Sequence, residues 1–192
     1  FLTDKAFEAC VEAQQVFGGH GYVREWGMEQ LVRDTRIAQI YEGTNGVQAQ
    51  DLVGRKLVKN RGAYVHNYLI EVRELIARVQ GDSALASAAQ ATAAAADAIA
   101  QATDDLVAAS AQDADEINAA AVDFLHAFGL FTYAHMWLLM LQAAQGKDGD
   151  FYADKRRVAG FFFSRMLPEL DMRLAFIRGG AAPLMALSAE GF

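Results

Sequence analysis

The chain has 192 residues, 53% of them hydrophobic, with 17 Lys and Arg against 24 Asp and Glu and a formal net charge of −7. That length can bury a core in one large domain or two small ones, and the acidic excess argues against a nucleic acid or an anionic membrane as partner. Two prolines and an alanine-crowded middle exclude a turn-rich β architecture and predict an all-α fold, while a single cysteine, Cys10, excludes an internal disulfide and fits a reducing, cytoplasmic setting.

Phe1 opens directly on a helix pattern with no initiator methionine, so the chain is expected to be the C-terminal part of a longer protein. Residues 3–17 place Phe7, Cys10, Val11, Gln14 and Phe17 near one helical face, with Thr3 as N-cap and Gly18-Gly19 as the stop. A second helix is predicted from Met28 to Ile40, with Leu31, Val32, Thr35 and Ile37 apolar or small among Arg33, Asp34 and Arg36. It ends near Tyr41-Glu42-Gly43, and Thr44 can cap a third helix running to about Val58. Residues 1–62 carry eight acidic and eight basic side chains, and the composition shifts after Gly62.

From there Val65, Leu69, Val72, Ile76 and Val79 draw a helical stripe, closed by Gly81-Asp82-Ser83. Leu85, Thr92, Ile99 and Leu106 then fall seven apart among alanines, which predicts a closely packed helical seam. Asp113, Asp115 and Glu116 suit the positive end of the next helix dipole, whose stripe is Ile117, Ala121, Phe124, Phe128, Phe131, His135 and Leu138. The uncharged run Phe124 to Gly146 is long enough to test as a membrane span, but His126, Gly129, Thr132, Tyr133, His135 and Gln142 interrupt it, so a buried bundle helix is expected. A final long helix carries Val158, Phe162, Met166, Leu170, Leu174 and Ile177, kinked at Pro168. Its basic residues face an Arg- and Lys-free stretch from Val79 to Gly146. The tail Leu184-Met185-Ala186-Leu187 is expected to dock on the surface or on a partner. Residues 63–178 thus describe four antiparallel helices of an up-and-down bundle.

Few residues in this pattern carry chemistry. Gly18-Gly19-His20-Gly21 follows no strand and so is not a strand-to-helix nucleotide fingerprint, though it can admit backbone amides to a phosphate-bearing ligand or simply cap a helix. No His or Cys partners lie at metal-ligand spacing from His20, and His126 and His135, nine apart, do not share a face; no metal site is expected. The run Phe161-Phe162-Phe163 reads as core, with at least one ring turned away. Glu42, a carboxylate in a turn before Gly43, is either a helix-terminal charge or a general base, which needs short reach and an apolar wall that Ile40 and Tyr41 could supply.

Gln15-Val16-Phe17-Gly18-Gly19-His20-Gly21-Tyr22, then Leu31-Val32-Arg33-Asp34-Thr35-Arg36-Ile37, then Gln39-Ile40-Tyr41-Glu42-Gly43-Thr44-Asn45 resemble, in order and spacing, the end of the acyl-CoA dehydrogenase catalytic chain. Residues 63–192 resemble the extra C-terminal helical domain of a bacterial subgroup of that family, through helix order and Leu167-Pro168-Glu169. The resemblance implies a truncated catalytic domain over 1–62, the end of the family's C-terminal helical bundle, followed by an appended four-helix bundle over 63–192. It implies a flavin enzyme that desaturates an acyl-CoA thioester, with Glu42 as the base for the α-proton and FAD as hydride acceptor.

Gln15, Phe17, Gly18 and Gly19 match the family's contact to the adenine dinucleotide half of FAD, often across a subunit interface, and Thr44 and Asn45 match a second contact to it. At Gly46 many relatives carry a glutamine. A homodimer or homotetramer and an electron-transfer flavoprotein as acceptor are further implications, as is an inability of this chain alone to retain FAD or turn over acyl-CoA. The rival expectation is a non-catalytic helical interaction or oligomerisation module in which Glu42 merely ends a helix.

Overall fold

The computed structural model describes residues 1–191, and among them every regular element is helical. The chain divides into two compact units, Phe1–Ala49 and Gln50–Phe192.

In the first unit α1 (Leu2–Val16) pairs with α3 (Met28–Ile37), and the one-turn α2 (Gly19–Tyr22) lies between them in sequence, while α4 (Asn45–Gln50) runs one residue past the unit boundary. Thr3 is not the cap of α1; Phe1 takes that place, and the Thr3 hydroxyl donates instead to Asn45 Oδ1 at 3.1 Å. Asp4 Oδ1 accepts from Gln39 and Asn45, each at 2.6 Å, so the N-terminal turn of α1 holds the segment that follows α3. Gly21 is buried where a Cβ would lie 2.4 Å from the Gln14 carbonyl oxygen, so only glycine fits that close approach. The expected apolar faces are not covered: Val11, Phe17, Leu31 and Ile37 are exposed, and of residues 1–49 only Gly21, Met28 and Ala49 are buried. Without a core of its own, this unit depends for stability on apolar cover it does not supply.

The second unit starts with a π-helical segment, Asp51–Val58, that packs on the helices following it and buries Val53 and Leu57. Then come α5 (Ala63–Val79), α6 (Ala86–Ala109), α7 (Ala114–Ala143), α8 (Asp150–Phe161) and α9 (Glu169–Arg178). The α5 stripe is buried throughout, and so are Leu85, Thr92, Ile99 and Leu106. Thr92 and Thr103 lie inside this seam because their hydroxyls donate to the Ala88 and Ile99 carbonyls, both at 2.8 Å. Asp113 caps α7 by accepting from the Asp115 N–H at 2.9 Å. By length and composition α7 could cross a membrane, yet its predicted stripe packs against α6 and α9, with Phe124, Phe131 and Leu138 fully buried. His126 and His135 are buried on it as well.

The last helix departs from the expected pattern. Pro168 lacks an N–H and cannot continue the α ladder, and the chain accommodates it with a π turn, Phe162–Met166, in which the Leu167 N–H bonds the Phe162 carbonyl at 2.9 Å. That inserted residue shifts the register. The buried positions are therefore Ala159, Phe162, Leu167, Leu170 and Leu174; Val158 points outward at 49% exposure, and Met166 is only half-buried. Phe161 is the ring turned away, at 58% exposure against 2% for Phe162. Arg173 of α9 bridges Asp123 of α7 at 3.0 Å and Glu169 at 2.8 Å, which realises the charge complementarity between the last helix and its acidic neighbours. The tail does not dock on its own bundle: Leu184, Met185 and Leu187 are all more than half exposed.

One part-buried polar pair gives the bundle a pH dependence. Tyr68 of α5 and His135 of α7 meet at 2.8 Å between the Tyr68 hydroxyl and Nδ1. Burial holds the His135 ring below the ordinary histidine range, with the Glu71 charge acting the other way, and burial also raises the Tyr68 phenol. Tyr68 and His135 therefore share a hydrogen bond that a neutral imidazole can make. The unfolded chain protonates His135 near the ordinary value of about 6.5, whereas the folded chain resists until lower pH. The unfolded state thus binds more protons in that window, and this contribution to stability is full above it and lost as pH falls toward the folded value. His135→Asn keeps an acceptor near Nδ1 but cannot titrate; urea unfolding should show a smaller stability loss between about pH 7 and about pH 5 in the variant than in the parent.

Candidate active site

The turn after α3 carries Glu42. Tyr41 donates its N–H to the Ile37 carbonyl at 3.3 Å, which ends the helix, and the next two residues both take left-handed backbone angles, Glu42 at φ 52° and Gly43 at φ 86°. For Gly43 this is free of steric cost, but for Glu42 it costs about 1 kcal/mol. The turn is held open in that shape from two sides. Gln48 Nε2 donates to the Glu42 carbonyl at 3.1 Å, and the Asn45 N–H bonds the Gln39 carbonyl at 3.2 Å. A Cβ at position 43 would sit 2.8 Å from Gln48 Nε2, so the glycine admits the side chain that fixes its neighbour. Thr44 then caps α4, its hydroxyl accepting from the Val47 N–H at 3.4 Å.

Glu42 is exposed, and so are Ile40 at 47% and Tyr41 at 56%. The apolar wall expected from these two residues is therefore not formed around the carboxylate within this unit. What the structure does supply is a tied backbone: the turn that carries Glu42 takes left-handed angles, its carbonyl accepts from Gln48, and Gln39 and Asn45 join the segment to Asp4. Gln48 and Asp4 had no signal in the sequence, because a side-chain bond to a carbonyl six residues back follows no helical period.

The residues matched to cofactor contact fall into two groups. Gln15, Phe17, Gly18 and Gly19 sit at the C-terminal end of α1, all exposed, with Gly18 at φ 58° and open space where a Cβ would stand at both glycines. Thr44 and Asn45 lie at the other end of α1, where the Asn45 side chain is engaged by Thr3 and Asp4. At 1.5 Å per residue the helix separates these groups by roughly 18 Å. Gly46 beside Thr44 has room for a side chain, the nearest atom to its Cβ position lying 3.9 Å away. His20 is exposed and packs on Trp26, ring centroids 4.6 Å apart. Among the described residues no group of three or more His, Cys, Asp or Glu side chains is placed to hold a metal ion.

Residues 1–57 match the family model described as acyl-CoA dehydrogenase, C-terminal domain, and residues 68–188 match the one described as acetyl-CoA dehydrogenase C-terminal like. The chain is similar to 3-methylmercaptopropionyl-CoA dehydrogenase of Ruegeria pomeroyi, 35% identical over 181 residues that cover 88% of this chain and 30% of that protein. It is also similar to the broad-specificity linear acyl-CoA dehydrogenase FadE5 of Mycobacterium tuberculosis, 30% identical over 206 residues covering 99% of this chain and 33% of the relative. An acyl-CoA dehydrogenase of Bacillus subtilis matches over 48 residues at 46% identity, covering 25% of this chain and 13% of the relative. The chain thus spans about a third of the length of the first two relatives.

Proposed function

The chain belongs to the acyl-CoA dehydrogenase family, and we propose that it forms the C-terminal region of a cytoplasmic, FAD-dependent enzyme that introduces an α,β double bond into an acyl-CoA thioester. The observation that carries this reading is the strained, clamped turn at Glu42. A general base must meet a carbon acid at short range in one orientation, and a turn whose backbone is tied by Gln48 sets the direction from which the carboxylate leaves the chain.

In this reading Glu42 takes the α-proton of the thioester, and its backbone N–H helps polarise the thioester oxygen so that the proton becomes acidic enough to remove. FAD, when bound, supplies the acceptor for the hydride that leaves the β-carbon. Gln15, Phe17, Gly18 and Gly19 hold its adenine dinucleotide half, which their exposure and the open space at both glycines allow. Thr44 contacts it from the second group, and Asn45 keeps Thr44 in place through Thr3 and Asp4. The cofactor site is proposed to lie at a subunit interface of a homodimer or homotetramer. An electron-transfer flavoprotein is the proposed acceptor of the reducing equivalents. The walls that enclose Glu42 come from parts of the protein outside this chain, consistent with the uncovered apolar side chains of the first unit. The boundary between catalytic and appended regions is placed after Gly62.

Two observations test this. The full-length protein is expected to be yellow and to bleach on addition of an acyl-CoA; a colourless protein that binds no flavin would leave the non-catalytic interaction module as the reading. The 192-residue chain alone is expected neither to retain FAD nor to oxidise acyl-CoA, and flavin absorbance that co-purifies with it would contradict the need for outside walls.

A further inference from the structure

The Glu42 turn is held at its base and at its apex by different groups. At the base the Asn45 N–H bonds the Gln39 carbonyl at 3.2 Å, and Asp4 joins the side chains of the same two residues. These bonds close the loop but do not by themselves fix the peptide planes at its apex. There the Glu42 carbonyl accepts from Gln48 Nε2 at 3.1 Å, and among the described residues this is the one hydrogen bond that the Glu42 backbone makes. The Glu42 N–H has no acceptor among them.

Gln48 reaches the apex because of where α4 begins. Thr44 accepts from the Val47 N–H through its hydroxyl at 3.4 Å and from the Gln48 N–H through its carbonyl at 3.0 Å, so the first turn of α4 stands beside the loop it follows. Position 43 must be glycine for that reach, since a Cβ there would lie 2.8 Å from Nε2. The Gln48 amide thus lies against Gly43 and ends on the carbonyl of the residue before it.

We propose that Gln48 is a positioning residue for Glu42, directing its carboxylate and its N–H together. This role rests on that of Glu42 as the α-proton base and adds to it. A non-glycine residue at φ 52° gains by relaxing to the right-handed region. Such a rotation about N–Cα changes the angle between the Glu42 N–H and its Cα–Cβ bond. The base needs both groups on one substrate, the carboxylate at the α-carbon and the N–H at the thioester oxygen. By holding the peptide plane that follows Glu42, Gln48 resists the rotation and leaves the N–H unpaired for the substrate. Gln48 is exposed in this chain; once walls from outside the chain exclude water, nothing competes for the carbonyl and the bond strengthens.

In the full-length, FAD-loaded protein, Gln48→Ala should lower kcat per bound flavin about 10–100-fold, the scale of a misplaced catalytic group. KM and flavin content should stay within about twofold of the parent. Deuterium uptake at the α-carbon of a non-oxidisable acyl-CoA analogue should slow by the same factor as kcat. A residue needed only for folding would lower flavin content and leave the rate per bound flavin unchanged. Gly43→Ala reports the contact itself: its Cβ displaces Nε2, so it should slow the parent by more than it slows the Gln48→Ala variant. Parental kcat per flavin in Gln48→Ala, a loss carried by KM or flavin content, or additive effects of the two substitutions overturns the proposal. Glu42→Gln separates the two roles. If it stops uptake while Gln48→Ala leaves uptake at the parent rate, the positioning role falls and the base stands; if Glu42→Gln itself exchanges at the parent rate, the base falls and the positioning role with it.

Discussion

Replacing Glu42 by glutamine in the full-length enzyme is expected to lower acyl-CoA turnover by about 10²–10⁴-fold, the span that a positioned general base contributes. The substitution is close to isosteric and leaves the clamp intact, since Gln48 bonds the backbone carbonyl of residue 42 and the other ties run through Gln39, Asn45 and Asp4. Glutamine meets the same left-handed angle at about the same cost of ~1 kcal/mol. Flavin content should therefore match the parent, and the loss should lie in kcat, because the missing interaction is made only as the proton moves. Steady-state kinetics with flavin absorbance as the control measures both. Turnover within a few-fold of the parent would remove Glu42 from the mechanism while leaving the flavin assignment standing.

Phe131→Ala is expected to destabilise the bundle by about 3–5 kcal/mol, a large part of the ~5–15 kcal/mol by which a domain is stable. Phe131 is fully buried at the middle of α7, where its ring meets Tyr68 edge-on at 5.7 Å and Phe128 at 6.0 Å. Truncation removes the apolar contact, the ring pairing and the packing support for the Tyr68–His135 hydrogen bond at once. In urea unfolding followed by circular dichroism, the midpoint should fall at an unchanged slope. Phe131→Leu, which keeps most of the volume, should cost well under half as much. A loss below about 1 kcal/mol for the alanine variant would mean that α7 is not the centre of the core.

Much of the bundle is legible in the sequence because its periods are regular. The steps through Val65 to Val79 and the sevens from Leu85 to Leu106 fall on buried positions, and a helix has one way to put such a stripe inside. Past Phe162 the pattern misleads. Periodicity selects Met166, yet a five-residue hydrogen-bond step forced by Pro168 brings Leu167 inside instead. Proline signals an interruption but not how many residues the repair inserts.

The first unit reads differently. Its longer helices lie near where the glycines place them and Thr44 caps α4, while Gly19–Tyr22, expected as a turn, is one helical turn and α3 ends at Ile37 rather than Ile40; the faces marked apolar by Leu31, Ile37 and Phe17 are open to solvent. A sequence pattern shows that a face must be covered and is silent about which chain covers it. At the candidate site the glutamate was legible only through its ordered neighbours, and Gln48 not at all, since its partner is a backbone carbonyl made available by the unusual angle at Glu42.

The most direct test of the central claim, that Glu42 is the α-proton base of a flavin-dependent dehydrogenase, is proton exchange at the substrate α-carbon. A non-oxidisable acyl-CoA analogue incubated in heavy water with the full-length, FAD-loaded protein should gain deuterium at that carbon, followed by mass spectrometry. The account predicts rapid uptake with the parent enzyme and essentially none with Glu42→Gln at equal flavin content. Uptake at the parent rate in the variant would contradict it.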